Sequence, residues 1–559
     1  MTHGVRDVDQ GVRPAVLYQA TAHAREWIST EVGRRLLHHF LNGWQANDPN
    51  IRNILQTTEL WFVPVVNPDG YQYTFDGERL WRKNLRDNDD DGQITGNDGV
   101  DLNRNLPEHW SYDEEGSSSQ FTSDTYRGPA PESEPETQAN MALFDLADFK
   151  FAISYHSFGE LLLYPQGWQT QTQTADDPIY VALTGTDDNP AVEGFDPGPS
   201  ADLYTTNGEF TDWAHATQGV LSWTPELSEG CEGCGFVFPD DEALVQAEFE
   251  RNLPFALNVA RSARTPDDPV SHAGIETQDF YLDVAQIDPW KTNHPQSDLT
   301  FDVSYAGGGA QPVQVLAKRS LRNVRVHYSV NGAREQTART SPAPEGEVYG
   351  GNNAYNAYYH YLQGEIPGLR LGDTVEYWFS ARGSRTDPVQ FEVVADDTAD
   401  VLVVAQEDRT GAVNIPAYDS TDPDQPNYLD LYTNALKANN IDAAVYDVDT
   451  QGRQAPHHLG VLSHFDTVVW YTGNNFVTRT AGRGAGDVDR LHNEMTLQMR
   501  EYLNQGGSLL YTGQWAGALE NGLAGGQFYD PVADETCVVD GALVLDRSAP
   551  PTRDTPRRT

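Results

Sequence analysis

A histidine and a glutamate stand three residues apart in TAHAREWIST (21–30). On one helical turn such residues share a face, so His23 and Glu26 could grip a single ion. Zinc in hydrolytic sites is often held by two histidines and a glutamate, with water in the fourth position. The plain alternative makes His23 a surface residue and Glu26 an acid that complements the positive end of the following helix. Only the rest of a hydrolase downstream can decide between the two. The chain supplies, in order, Arg82 in LWRKN, Asp101, Asn103 and Arg104 in GVDLNRN, and His156 in SYHSFGELLLYPQG. Tyr204 follows in LYTTNGEFTDW and Glu226 in SWTPELSEG.

In this order and spacing the motifs resemble the zinc metallocarboxypeptidases of the carboxypeptidase A type, from residue 13 to about 260. The resemblance implies that His23, Glu26 and His156 are the zinc ligands and that Asp101 holds His23 by its other ring nitrogen. Glu226 would be the general base. Arg82 would stabilise the oxyanion that develops during attack. Asn103, Arg104 and Tyr204 would bind the terminal carboxylate, which the planar guanidinium fork pairs bidentately. Arg25 would serve a subsite beyond the scissile bond. By the same matching Leu163, Gly167, Leu203, Thr211 and Thr224 line the side-chain pocket, and their neutrality implies a preference for apolar or aromatic termini. Glu209, two residues before Thr211, could reverse it if it points inward. The resemblance also implies cis bonds at Ser157–Phe158 and Pro165–Gln166. Relative to that family, the first strands and a helix of the domain are expected to be missing before residue 13, together with a signal peptide.

A second ion site is encoded in DNDDDGQITGND (87–98). Asp87, Asp89, Asp91, Gly92, Ile94 and Asp98 follow an EF-hand-like calcium spacing, with Asp replacing the closing Glu. The alternative is a solvated acidic loop. Calcium there would tether the segment between Arg82 and Arg104.

These residues need elements to position them. AVLYQA (15–20), LWFVPVV (60–66) and FKFAISYH (149–156) read as strands, the last ending on His156. Strand ends facing loops are where α/β proteins place chemistry. Val32, Leu36, Leu37 and Phe40 form a helical stripe. NPDG (67–70) reads as a turn, and SEPE (133–136) as a capping box with Ser133 as N-cap, opening a helix to Leu146. The expected fold is an α/β catalytic domain with a mixed, carboxypeptidase-like sheet over 1–263. RSARTPDDPVSH (261–272) is a linker by composition. Alternation in VRVHYSVNG (324–332), with strands at 373–383 and 389–394, predicts a β-sandwich over 271–398. VLVVA (401–405), a helix at 428–439, TVVWYTG (467–473), a helix at 497–507 and SLLYTG (508–513) predict βαβ alternation on a parallel sheet over 399–545. That region is flavodoxin-like or amidotransferase-like and lacks G-x-G-x-x-G, a P-loop and a nucleophile elbow. Residues 546–559 read as a disordered tail.

The 559 residues exceed one core and predict several domains. The net charge of −46, from 37 basic and 83 acidic residues, excludes nucleic acid and anionic lipid as natural partners. It fits a secreted protein or a salt-tolerant one, and the resemblance implies peptide or protein substrates. No apolar run is long enough for a transmembrane anchor. Cys231 and Cys234 form a lone C-x-x-C, with Cys537 apart. A zinc knuckle would need a second pair, so a local disulfide or two unpaired thiols remain. The leading expectation is a secreted zinc exopeptidase. A cell-wall peptide peptidase using the same zinc site, and a non-catalytic binding protein, are the alternatives.

Overall fold

The computed structural model describes residues 11–170, 172–228, 242–283, 287, 298–344, 355–396, 398–407, 426–473, 488–513, 516, 527–530 and 535–538. Cys231 and Cys234, the residues before 11 and the tail from 546 lie outside them. The chain divides into two compact units. The first comprises 1–291 with 316–322 and 352–361, and the second the remainder.

The first unit is built on a six-stranded sheet in the order β2-β1-β3-β8-β4-β7. Its strands are β1 (Pro14–Ala20), β2 (Glu59–Val63), β3 (Asp148–Tyr155), β4 (Leu161–Tyr164), β7 (Asp196–Pro199) and β8 (Leu221–Glu226), with a small pair, β5 (Gly185–Thr186) and β6 (Asn189–Pro190), beside it. β1, β2, β3 and β8 run parallel, and β4 is antiparallel to β8, so the sheet is mixed. β1 shows no alternation because both its faces are covered, as is usual for a central parallel strand.

Helix α1 (Trp27–Gln45) buries Ile28, Val32, Leu36 and Phe40, one face at helical spacing. α2 (Pro49–Thr57) starts at Asp48, whose carboxylate accepts Asn50 N and Ile51 N. Helix α7 (Glu242–Ser262) packs against α1, and Tyr18 of β1 donates its hydroxyl proton to Ala256 O at 2.8 Å.

Two local expectations are corrected. NPDG begins helix α3 (Pro68–Asp76) rather than closing a turn, because Asn67 caps Gly70 N and Pro68 suits the first helical position. The helix after SEPE, α4 (Pro135–Ala142), is preceded by Glu134 as N-cap without a side-chain cap bond, and it gives way to a 3-10 turn at Leu143–Asp145. Ser133 is drawn off instead: its Oγ donates to Glu134 Oε1 at 2.6 Å. Helices α5 (Asp177–Thr184) and α6 (Phe210–Gln218) complete the frame around the site.

The second unit holds antiparallel strands in which Thr374–Ala381 lies between Arg325–Val330 and Val389–Val393. Val326, Tyr328, Val375, Tyr377 and Phe379 are buried. It also holds a four-stranded parallel sheet of Val401–Ala405, Ala443–Asp447, Thr467–Tyr471 and Ser508–Thr512, with Val401–Ala405 and Thr467–Tyr471 central. Leu402, Val404, Val468 and Trp470 fill the core on one side of it.

Candidate active site

His23, Glu26, His156 and Glu226 gather at the C-terminal ends of β1, β3 and β8. β1 ends at Ala20, and the loop after it carries His23 and Glu26 to the start of α1. His156 follows β3 and bridges to Glu226 at the end of β8, its N–H donating to Pro225 O at 3.0 Å.

His23, Glu26 and His156 are all buried and present ligand atoms within 4.8 Å of one another. His23 Nδ1 lies 2.7 Å from Glu26 Oε1 and 3.1 Å from His156 Nδ1. His156 Nδ1 lies 3.1 Å from Glu26 Oε2. The outer ring nitrogens are engaged elsewhere: His23 Nε2 with Asp101 Oδ1 at 3.1 Å, and His156 Nε2 with Ser154 Oγ at 3.2 Å. A proton held at each Nε2 leaves both Nδ1 lone pairs facing a carboxylate. Such a cluster repels itself unless a cation or a proton sits between. Two imidazoles and one carboxylate are a zinc donor set, so the residues fit the metal.

Around this centre, Asp101 is fully buried and binds on two sides. Its Oδ2 accepts Arg82 Nε at 3.0 Å and Nη2 at 2.7 Å, while Oδ1 faces His23 and accepts Asn103 N at 2.9 Å. Burial opposes its charge, but Arg82 and His23 outweigh that and hold its carboxyl well below the usual range. Burial also opposes charge on Glu26, and the two histidines reverse the sign, lowering its carboxyl. Glu226 goes the other way. Burial and the neighbouring charge of Glu26 raise its carboxyl to about 8, against the pull of His156, Arg82 and Arg104.

Asn103 and Arg104 sit on a 3-10 turn, Leu102–Arg104, capped by Asp101. Asn103 Oδ1 accepts Phe210 N at 2.9 Å, tying this turn to α6. Arg104 is 2% exposed. Its Nη1 donates to Asn103 O at 2.7 Å, and its buried Nε has no partner among the described residues. A buried, incompletely paired guanidinium is suited to receiving an anion. Tyr204 and Leu203 are exposed, and the Tyr204 ring centre is 6.0 Å from the Arg104 guanidinium carbon. Arg25 stands beside Glu26 in sequence, but its Nη1 donates to Asp124 Oδ2 at 3.0 Å.

Among the pocket residues, Leu163 and Thr224 are register partners across β4 and β8. Gly167 donates its N–H to both oxygens of Asp212, at 3.1 and 3.0 Å. Thr211 donates its hydroxyl to Glu209 Oε1 at 2.6 Å. A β-carbon at Gly167 would meet that same oxygen at 2.5 Å, so the glycine leaves room for the Glu209 carboxylate. Both bonds that the resemblance implied to be cis, Ser157–Phe158 and Pro165–Gln166, are cis.

The acidic loop divides. Asp87, Asp89 and Asp91 come together. Asp98 is not in that group: it is fully buried, accepting Asn88 N with Oδ1 and Thr95 N with Oδ2, each at 2.8 Å. The loop thus folds around the Asp98 carboxylate, which stands apart from the three grouped acids. Ser154 went unrecognised in the sequence. The signal was there, since residues two apart on a strand share a face, and Gln19 Nε2 in turn donates to Ser154 Oγ at 3.2 Å.

A mixed sheet with this donor set at its parallel strand ends defines a zinc-peptidase class of site. Residues 3–251 match the zinc carboxypeptidase family, Peptidase M14. The chain is 32% identical over 250 residues to a metallocarboxypeptidase A-like protein of Trichophyton verrucosum, covering 43% of this chain and 56% of that one. It is 32% identical over 243 residues to a carboxypeptidase B of Astacus astacus, covering 42% of this chain and 77% of that one. A crystal structure of thrombin activatable fibrinolysis inhibitor aligns at 26% identity and a TM-score of 0.40, over 46% of this chain and 64% of that one. The chain belongs to the zinc carboxypeptidase family. It spans 56% of the length of the metallocarboxypeptidase A-like relative. Among the described residues, no helix is long and apolar enough to cross a membrane.

Proposed function

We propose that the chain is a zinc-dependent exopeptidase that removes C-terminal amino acids from peptides and proteins. The observation that carries this is the convergence of His23, Glu26 and His156 beside a separate carboxylate, Glu226, and a buried arginine, Arg104, whose Nε has no partner among the described residues. Zinc bound by the three ligands would polarise the scissile carbonyl and acidify a water. Glu226 would take that water's proton and deliver it to the leaving amine. Arg82, oriented by its two bonds to Asp101, would face the developing oxyanion. Arg104, Asn103 and Tyr204 would hold the terminal carboxylate, and Arg25 would serve the subsite beyond the scissile bond. The test is release of the terminal residue from an N-blocked dipeptide. Activity is expected to vanish with a chelator and return with zinc. Full activity in the metal-free protein would overturn the reading.

The pocket of Leu163, Gly167, Leu203, Thr211 and Thr224 would prefer neutral apolar or aromatic side chains. A buried cationic terminus needs a paired charge, or desolvation costs several kcal/mol. The two acids beside Gly167 are already engaged: Glu209 accepts the Thr211 hydroxyl proton, and Asp212 accepts the Gly167 N–H. Substrates ending in Phe or Leu are expected to exceed those ending in Lys or Arg in kcat/KM. If Lys or Arg wins, and Glu209→Gln removes that preference, Glu209 is the selector and the neutral pocket is wrong.

Asp87, Asp89 and Asp91 would bind calcium between the segments that carry Arg82 and Arg104. Calcium is expected to raise the melting temperature, and Asp89→Asn to cancel that rise; an unchanged melting temperature counts against it. An extracellular site of action agrees with the net charge of −46.

A further inference from the structure

Behind the pocket lies a buried network that the proposed reaction does not use. Asp176, just before α5, is fully buried. Its Oδ1 accepts Tyr358 N at 2.9 Å and Tyr359 N at 2.7 Å, and its Oδ2 accepts Ala357 N at 2.5 Å. Ala175 N donates to Tyr355 O at 3.1 Å. Residues 355–359 are thus held within the catalytic unit although they follow α7 by a long stretch of chain.

The same carboxylate reaches the pocket. Asp176 Oδ2 lies 2.8 Å from His215 Nε2 on α6, and His215 Nδ1 lies 3.1 Å from the Tyr180 hydroxyl on α5. That hydroxyl accepts Ser222 N of β8 at 3.3 Å, and Ser222 Oγ donates to Thr211 O at 3.1 Å. His215 lies four residues beyond Thr211, on the same face of α6. The Tyr355 ring packs edge-on against His215, 5.3 Å between centres, and is 1% exposed. The links from Asp176 through His215, Tyr180 and Ser222 to Thr211 are buried, and buried hydrogen-bonded networks of this kind hold orientation.

We propose that residues 355–359 are a positioning strap for the side-chain pocket. Asp176 and Tyr355 act as positioning residues that set α6 and Thr211 against β8 and Thr224. The inference rests on the carboxypeptidase reading and adds to it a dependence of side-chain selection on a segment outside the catalytic sequence motifs. A tether with only a structural role would lower stability and weaken all substrates alike. A positioning strap acts on those substrates whose terminal side chain fills the pocket.

The experiment uses the full chain loaded with zinc, the variants Tyr355→Ala, Tyr355→Phe and Asp176→Asn, and blocked dipeptides ending in Phe or in Gly. Tyr355→Ala is expected to raise KM for the Phe substrate about 10-fold, the effect of losing about 1.4 kcal/mol of binding. Its kcat, its zinc content and its KM for the Gly substrate should stay near wild type. Tyr355→Phe, which keeps the ring, should restore KM, and Asp176→Asn should repeat the Tyr355→Ala pattern. If Asp176→Asn does not fold, the two Tyr355 variants decide. Equal losses on both substrates, or no loss on either, would overturn the strap. A wild-type chain that releases neither terminal residue would overturn the carboxypeptidase reading, and the strap with it.

Discussion

Glu226→Gln is expected to keep its zinc and lose about 10²–10⁴-fold in kcat, the contribution typical of a positioned acid–base group. The side chain is not among the three converging ligands, so metal content should not change. The amide keeps the shape of the carboxylate but cannot take a proton. Without metal, burial and Glu26 raise the Glu226 carboxyl to about 8. A cation held by Glu26 offsets that neighbouring charge, and a nearby positive charge favours the ionised form. The acid limb of kcat/KM for the zinc-loaded enzyme should therefore lie below pH 8, with activity falling as Glu226 gains its proton. Zinc content measured by atomic absorption, alongside turnover, checks both parts. A variant with normal turnover would remove Glu226 from the role of base.

Arg104→Ala is expected to raise KM by roughly 30-fold to several thousand-fold, the 2–5 kcal/mol span for truncating one partner of a buried charge pair. It should also erase discrimination between a free terminal carboxylate and the corresponding carboxamide. Arg104 is buried, with an Nε that has no partner among the described residues, so an incoming carboxylate would complete its bonding. Arg104→Lys should recover only part of the loss, because an ammonium lacks the planar two-point fork. The measurement is KM for matched acid and amide substrates. If the variant keeps wild-type preference for the acid, the carboxylate is held elsewhere and the exopeptidase reading loses its anchor.

Side-chain chemistry that depends on residue type and order was legible in the sequence. His23 and Glu26 stood out by spacing and His156 by its place at the end of an apolar strand, but it was the resemblance of the ordered motifs that gave these residues, Arg104 and Glu226 their expected roles. The strands at 15–20 and 401–405 were equally plain, because both faces of a central parallel strand are buried and the runs are apolar apart from Gln19. Local boundaries were less legible. Asn67 and Ser133 sit in sequences that serve a turn, a cap or a side-chain bond, and only their neighbours decide which.

By itself the sequence determined which groups could hold a metal, take a proton and bind an anion, because those capacities belong to the side chains. It also determined where apolar runs would become strands. Tertiary structure alone decided three further matters. Asp98 turned inward to satisfy backbone N–H groups and stands apart from Asp87, Asp89 and Asp91. Glu209 was placed against Gly167, with Thr211 as its donor. Residues 355–359 were drawn onto Asp176, far away along the chain. In each case a buried carboxylate must find donors. Which donors lie within reach depends on how the chain returns, and that is absent from any local stretch of residues.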